Sequence, residues 1–161
     1  MKPTTIQELY DTLPFGALVR FNDGTPKPPA RFNRKVAEWE RSNGQGFFAK
    51  RHKNYFPESV PEISLMLIQS DVLIYKQGFC VTSKLNFEIE PPPPGTVIDY
   101  REFEGDIEVN RVHKDFNAYL EWCRRNRYTP FGHSGSFGGL WIIDEKGERQ
   151  PLKETPAAVA V

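Results

Sequence analysis

Residues 79–90 read Phe79-Cys80-Val81-Thr82-Ser83-Lys84-Leu85-Asn86-Phe87-Glu88-Ile89-Glu90, and their alternation decides the fold class. Phe79, Val81, Leu85, Phe87 and Ile89 share one parity, with mainly polar residues on the other. Side chains on a strand alternate between two faces, so this is the pattern of one long strand with a single buried side. Strands of that kind belong to antiparallel sheets, in which one face is packed and the other meets water. The run Pro91-Pro92-Pro93-Pro94-Gly95 then ends the strand, because proline supplies no ladder donor. It reads as a rigid spacer or crossover rather than as a ligand for a proline-binding module.

Upstream, Val72–Tyr75 reads as a strand. Ile63–Ile68 reads as a nearly continuous apolar, buried strand, although Ser59 and Glu62 offer a competing capping box for a short helix. Phe15–Phe21 alternates loosely as a strand and is followed by the turn pair Asp23-Gly24. Near the N-terminus Thr5 and Glu8 have capping-box spacing, which predicts a short helix ending before Pro14. Downstream, Val97–Val109 reads as one or two strands and Leu140–Ile143 as a final buried one.

Two helices complete the pattern. In 30–42, Phe32, Val36 and Trp39 recur at helical spacing, which places them against a core with Arg31, Arg34, Lys35 and Arg41 mainly on other faces. In 114–126, Phe116, Tyr119, Leu120 and Cys123 form the apolar stripe, and Arg124, Arg125 and Arg127 complement the C-terminal dipole. The expected fold is a single α+β domain over residues 1–154, a mainly antiparallel sheet of about five strands packed with two main helices. Residues 155–161 are expected to form a flexible tail.

The chain has 161 residues and a formal net charge of zero, yet its charges are segregated. Between Lys27 and Phe56 stand eight Lys or Arg residues against Glu38 and Glu40. Between Asn86 and Glu108 stand seven carboxylates against Arg101. Cys80 and Cys123 form no CxxC pair, the N-terminus lacks a signal-peptide core, and no apolar run is long enough to cross a bilayer. A cytoplasmic location without membrane contact is expected.

No motif for catalysis stands out, and neither a catalytic residue, a cofactor nor a metal site is assigned. The glycine-rich stretch 130–139 is preceded by a helix and followed by a strand, the reverse of a phosphate-binding loop, and Ser134 lacks the setting of a nucleophile elbow. Its glycines read as a connection that needs conformational freedom. His52, His113 and His133 have no metal-ligand spacing. Glu102, Glu104, Asp106 and Glu108 alternate along one strand face, roughly 6.5 to 7 Å apart, which suits a solvated face better than a metal site.

The leading functional expectation is a small non-catalytic binding protein that acts on nucleic acid or a nucleoprotein complex through a basic and aromatic surface. Arg31, Arg34, Lys35, Arg41, Lys50, Arg51 and Lys53 would contact phosphates, extended by Arg124, Arg125 and Arg127 if the two groups converge. Phe47, Phe48, Tyr55 and Tyr128 would stack bases. One alternative is a regulatory or inhibitory protein that binds another protein, either through Glu102, Glu104, Asp106 and Glu108 as an acidic interface, in one version imitating nucleic-acid phosphates, or through the basic and aromatic segment as a protein interface. Another is a hydrolase or metal-dependent nuclease, which requires a cleft gathering at least two acids with His113 or His133.

Overall fold

A computed structural model describes residues 5–52, 60–69, 72–131 and 138–152. Lys53, Tyr55, Ser59, residues 132–137 with His133 and Ser134, and the expected tail lie outside the described residues. The chain divides into two compact units, Met1–Glu90 and Pro91–Val161, with the division falling at the start of the proline run.

In the N-terminal unit, α1 (Ile6–Thr12) forms where the capping box predicts it. The Glu8 backbone N–H donates to Thr5 Oγ1 at 3.2 Å, and the Thr5 N–H donates to the Glu8 carboxylate at 3.0 Å. Two of the free donors at the helix start are thereby satisfied. The next elements are β1 (Leu18–Asn22), α2 (Asn33–Ser42), β2 (Gly44–His52), β3 (Glu62–Gln69), β4 (Val72–Cys80) and β5 (Asn86–Glu90). The stretch 63–68 is a strand, not the competing helix. Within this unit the strand order is β4-β3-β2-β1-β5, and every pairing is antiparallel.

Four antiparallel pairings in succession make β4 and β5 run in the same direction at opposite edges. They are two halves of the long strand expected over 79–89, broken at residues 81–85. The break is a turn in which the Ser83 N–H donates to the Cys80 carbonyl at 2.9 Å and Val81 is exposed. Past it, the chain leaves β3 and pairs with β1, so the sheet curls until Phe79 on β4 meets Phe87 on β5 edge-on, with centroids 5.6 Å apart. Inside the curl lie Ile6 and Leu9 of α1 and Leu13 just after it, with Phe21, Phe48, Ile63, Leu65 and Phe87. Burying each large apolar side chain stabilises the fold by roughly 2 to 3 kcal/mol.

The C-terminal unit contains β6 (Val97–Phe103), β7 (Asp106–His113), α3 (Phe116–Asn126), β8 (Gly138–Ile143) and β9 (Arg149–Pro151), with strand order β7-β6-β8-β9. A two-residue turn joins β6 to β7. Glu104 and Gly105 both have positive φ, 51° and 79°, the hand that matches strand twist in a tight hairpin. The α3 helix starts at Asp115, whose carboxylate accepts from the Ala118 N–H at 2.7 Å, and ends at Arg127 in the left-handed region with φ 57°. Its apolar stripe packs Tyr119 and Cys123 on Val97 and Leu140.

The described residues hold nine strands and three short helices, which corrects the expected fold of about five strands packed with two main helices. Three physical facts account for the difference. The alternation over 79–89 keeps its parity across the turn that separates β4 from β5. A non-glycine residue, Glu104, takes a positive φ and splits 97–113 into a hairpin. Finally β9 is only three residues, all exposed, and has no apolar period to betray it.

Candidate functional site

The basic helix α2 stays outside the core, with Val36 and Trp39 half-buried and Arg34, Lys35 and Arg41 exposed. None of its residues is buried, so Phe32, Val36 and Trp39 do not enter the core as their spacing predicts. Instead the preceding segment straps the helix: Trp39 Nε1 donates to the Thr25 carbonyl at 2.9 Å, and Lys27 lies over the Trp39 ring and pairs with Glu40 at 3.3 Å. At the helix start Phe32 is 41% exposed between two cations, with Arg31 Cζ 4.9 Å and Lys35 Nζ 5.4 Å from its centroid. Arg34 and Arg41 lie along one outer line of the helix with Glu38 between them, by the 3.6-residue period. Among the described residues Arg31, Arg34, Lys35 and Arg41 form no ion pair.

The cations of β2 are placed differently. Arg51 faces inward, where its guanidinium donates to the carbonyls of Tyr10 and Leu13 at the end of α1 and lies over the rings of Phe15 and Phe48. Burial holds its pKa below the usual arginine value, a structural setting rather than a phosphate contact. Lys50 is half-buried on the opposite face, in register with Ser64. Phe48 is fully buried and Phe47 nearly so, which corrects their assignment as base-stacking rings. On the Lys50 face His52 Nε2 lies 2.7 Å from Ser64 Oγ and 3.9 Å from Glu62 Oε1. Serine and carboxylate thus share one ring nitrogen, which is not the relay of a catalytic triad.

Arg124, Arg125 and Arg127 belong to the other unit, at the end of α3. All three are exposed, and Arg125 pairs with Glu121 one turn back. Tyr128 is exposed too, but it packs on Trp122 with centroids 5.0 Å apart, as the wall of a cavity.

The four alternating carboxylates do not form one face. Glu104 sits in the hairpin turn, Glu102 pairs in register with Ile107, and Glu108 pairs with Arg101 on the other face along with Asp106. Arg101 donates to Glu108 Oε2 through both Nε and an Nη, the shorter contact being 2.7 Å. A regular row of charges imitating phosphates is therefore absent from these residues.

A second constellation escaped the sequence reading. Asp99 stands in β6 among Val97, Ile98 and Tyr100 and is only 2% exposed. Its Oδ2 accepts from Arg111 Nη1 on β7 at 3.1 Å. The Arg111 guanidinium lies over Trp122 of α3, its Cζ 4.1 Å from the centroid, with the Tyr128 centroid at 5.9 Å. Beside them His113 packs on Tyr119 and Trp122, its Nε2 buried without a hydrogen-bond partner among the described residues. Burial lowers the His113 pKa, pushes Tyr119 up to about 12 and raises that of Cys123. The signal available beforehand was a carboxylate inside an apolar strand run, a position that demands a buried partner.

Among the described residues no three His, Cys, Asp or Glu side chains gather as metal ligands, and no helix is long and apolar enough to cross a membrane. A family model described as uncharacterised conserved protein UCP036055 matches residues 4–132, well over half of the chain. The chain belongs to this family. The matched span takes in α2 and the whole Asp99, Arg111, Trp122 and Tyr128 constellation. No curated protein and no solved structure matches the chain.

Proposed function

We propose that this protein is a small non-catalytic binding protein of the cytoplasm that engages nucleic acid, free or within a nucleoprotein complex, through α2. The observation that carries the reading is the state of Arg31, Arg34, Lys35 and Arg41. They are exposed, unspent on carboxylates among the described residues, and set beside a half-exposed ring, Phe32. Phosphates contacting such cations release counterions, and an exposed aromatic face accepts an unpaired base. The interface is smaller than the sequence suggests, because Arg51, Phe47 and Phe48 are committed to the fold. The free thiols Cys80 and Cys123 suit a reducing compartment.

The test is fluorescence anisotropy of a labelled single-stranded oligonucleotide at several salt concentrations. The triple variant Arg31→Glu, Arg34→Glu, Lys35→Glu is expected to lose binding about tenfold or more and to flatten the log–log salt slope by about 2, three contacts at roughly 0.7 each. Equal affinity in variant and wild type overturns the reading.

The second reading, a regulatory protein that binds another protein, is favoured by Phe103. That ring is 66% exposed next to the hairpin turn, flanked by Glu102 and Glu104. Pull-down before and after nuclease treatment separates the two: a partner retained after nuclease and lost in Phe103→Ser supports the protein-binding reading.

A further inference from the structure

We propose that the C-terminal unit carries a small-molecule site, in the cavity between the β6–β7 hairpin and the end of α3, that takes a single-ring carboxylate with Arg111 as its anchor. The cavity measures about 190 Å³ and is lined by Asp99, Arg101, Arg111, Tyr119, Trp122 and Tyr128, among others.

Three observations define the ligand. The first is charge: two guanidinium groups and the Asp99 carboxylate line the space, and Glu108, bonded to Arg101, balances the second cation, so an added anion is received by the donors of Arg111 that Asp99 leaves over. The Asp99 carboxylate is engaged by Arg111, and Arg101, itself 60% exposed, is held by the largely buried Glu108, so Arg111 rather than Arg101 is the anchor.

The second is hydrogen-bonding capacity. Among the described residues Arg111 makes one hydrogen bond, to Asp99, although a guanidinium has five N–H donors arranged as forks that match a carboxylate. The group is already immobilised, fastened to a buried carboxylate and held over the Trp122 ring, so little side-chain entropy remains to be lost when a ligand arrives.

The third is size and surface. A dry cavity of about 150 Å³ accepts a benzene ring, and this one is somewhat larger and is walled by Tyr119, Trp122 and Tyr128. The space therefore suits one planar ring bearing one carboxylate and is below the roughly 300 Å³ at which drug-sized ligands begin.

The experiment is titration of the full chain with benzoate, followed by heteronuclear NMR or calorimetry, with benzamide as the uncharged isostere and acetate as the ringless anion. Saturable benzoate binding with Kd near or below about 1 mM is expected, with both controls about tenfold weaker or worse. Arg111→Lys keeps a cation beside Asp99 but loses the fork, and is expected to weaken benzoate about tenfold. Tyr128→Ala leaves the buried pair intact and is expected to weaken it about threefold through loss of a wall. Should Arg111→Lys not fold, Tyr128→Ala and the benzamide comparison decide. No saturation by about 10 mM, equal binding of benzamide, or benzoate affinity unchanged by Tyr128→Ala overturns the proposal.

Discussion

The rings of Tyr100 on β6 and Trp141 on β8 stack with centroids 3.7 Å apart and planes 13° from parallel. Tyr100 lies in register opposite Gly139, and Trp141 follows two residues later on the same face. A Cβ on Gly139 would stand 3.0 Å from the Tyr100 hydroxyl and 3.2 Å from Cζ. The bare glycine is what lets the ring lie across the strand, and Arg149 covers Trp141 with its Cζ 4.5 Å from the centroid.

Gly139→Val should therefore destabilise the protein although valine is the better strand former. The branched side chain drives Tyr100 off Trp141, at an expected cost of about 1 to 3 kcal/mol. Urea denaturation measures this as a lower midpoint, and Tyr100→Phe, which keeps the stack, is expected to be nearly neutral. An unchanged midpoint for Gly139→Val would show that the ring has room to move.

Arg51→Met tests whether that guanidinium belongs to the fold or to a ligand surface. Its loss leaves the Tyr10 and Leu13 carbonyls without their donor at the end of the seven-residue α1, and hydrogen bonds to a charged group are worth about 1.5 to 3 kcal/mol each. Stability should fall by at least about 2 kcal/mol, while oligonucleotide affinity of the folded variant stays at the wild-type value. A loss of affinity at wild-type stability would reverse the assignment.

His113 gives the protein a pH dependence of predictable sign. Burial lowers its folded-state pKa, Asp99 opposes this and Arg111 adds to it. The unfolded chain then binds the proton more readily than the folded one. The contribution of His113 to stability is whole above the ordinary histidine value of about 6.5 and declines as pH falls from there through the folded value. His113→Gln should have a shallower fall in Tm between about pH 7 and 5 than the wild type. Parallel profiles would remove His113 as the cause.

How much of this was legible depends on how local the physics is. The helix at Thr5 and Glu8 and the end of α3 at Arg127 follow from neighbours in sequence, and both were readable. The alternation from Phe79 to Ile89 was read as one strand because its two halves keep the same parity, while the break rests on which partner each half finds, β3 or β1. The outward position of α2 was hidden for a related reason. An apolar stripe such as Phe32, Val36 and Trp39 does not declare whether a sheet or only the strap at Thr25–Lys27 will cover it. Arg51 and Lys50 are adjacent in sequence and both half-buried, and only the β2 register with Ile63 and Ser64 puts Arg51 on the face that meets the end of α1 and Lys50 on the other.

The pairing of β1 with β5 also sets the order of events as the chain folds. Leu18 pairs with Glu90 at one end of this seam and Asn22 with Asn86 at the other, whereas the β3–β4 hairpin forms between near neighbours. Closing so long a loop costs entropy before any contact repays it. The seam between β1 and β5 is thus expected to close last, and a chain that stops short of β5 leaves Phe21 and Phe79 without Phe87 beside them, an apolar edge open to association.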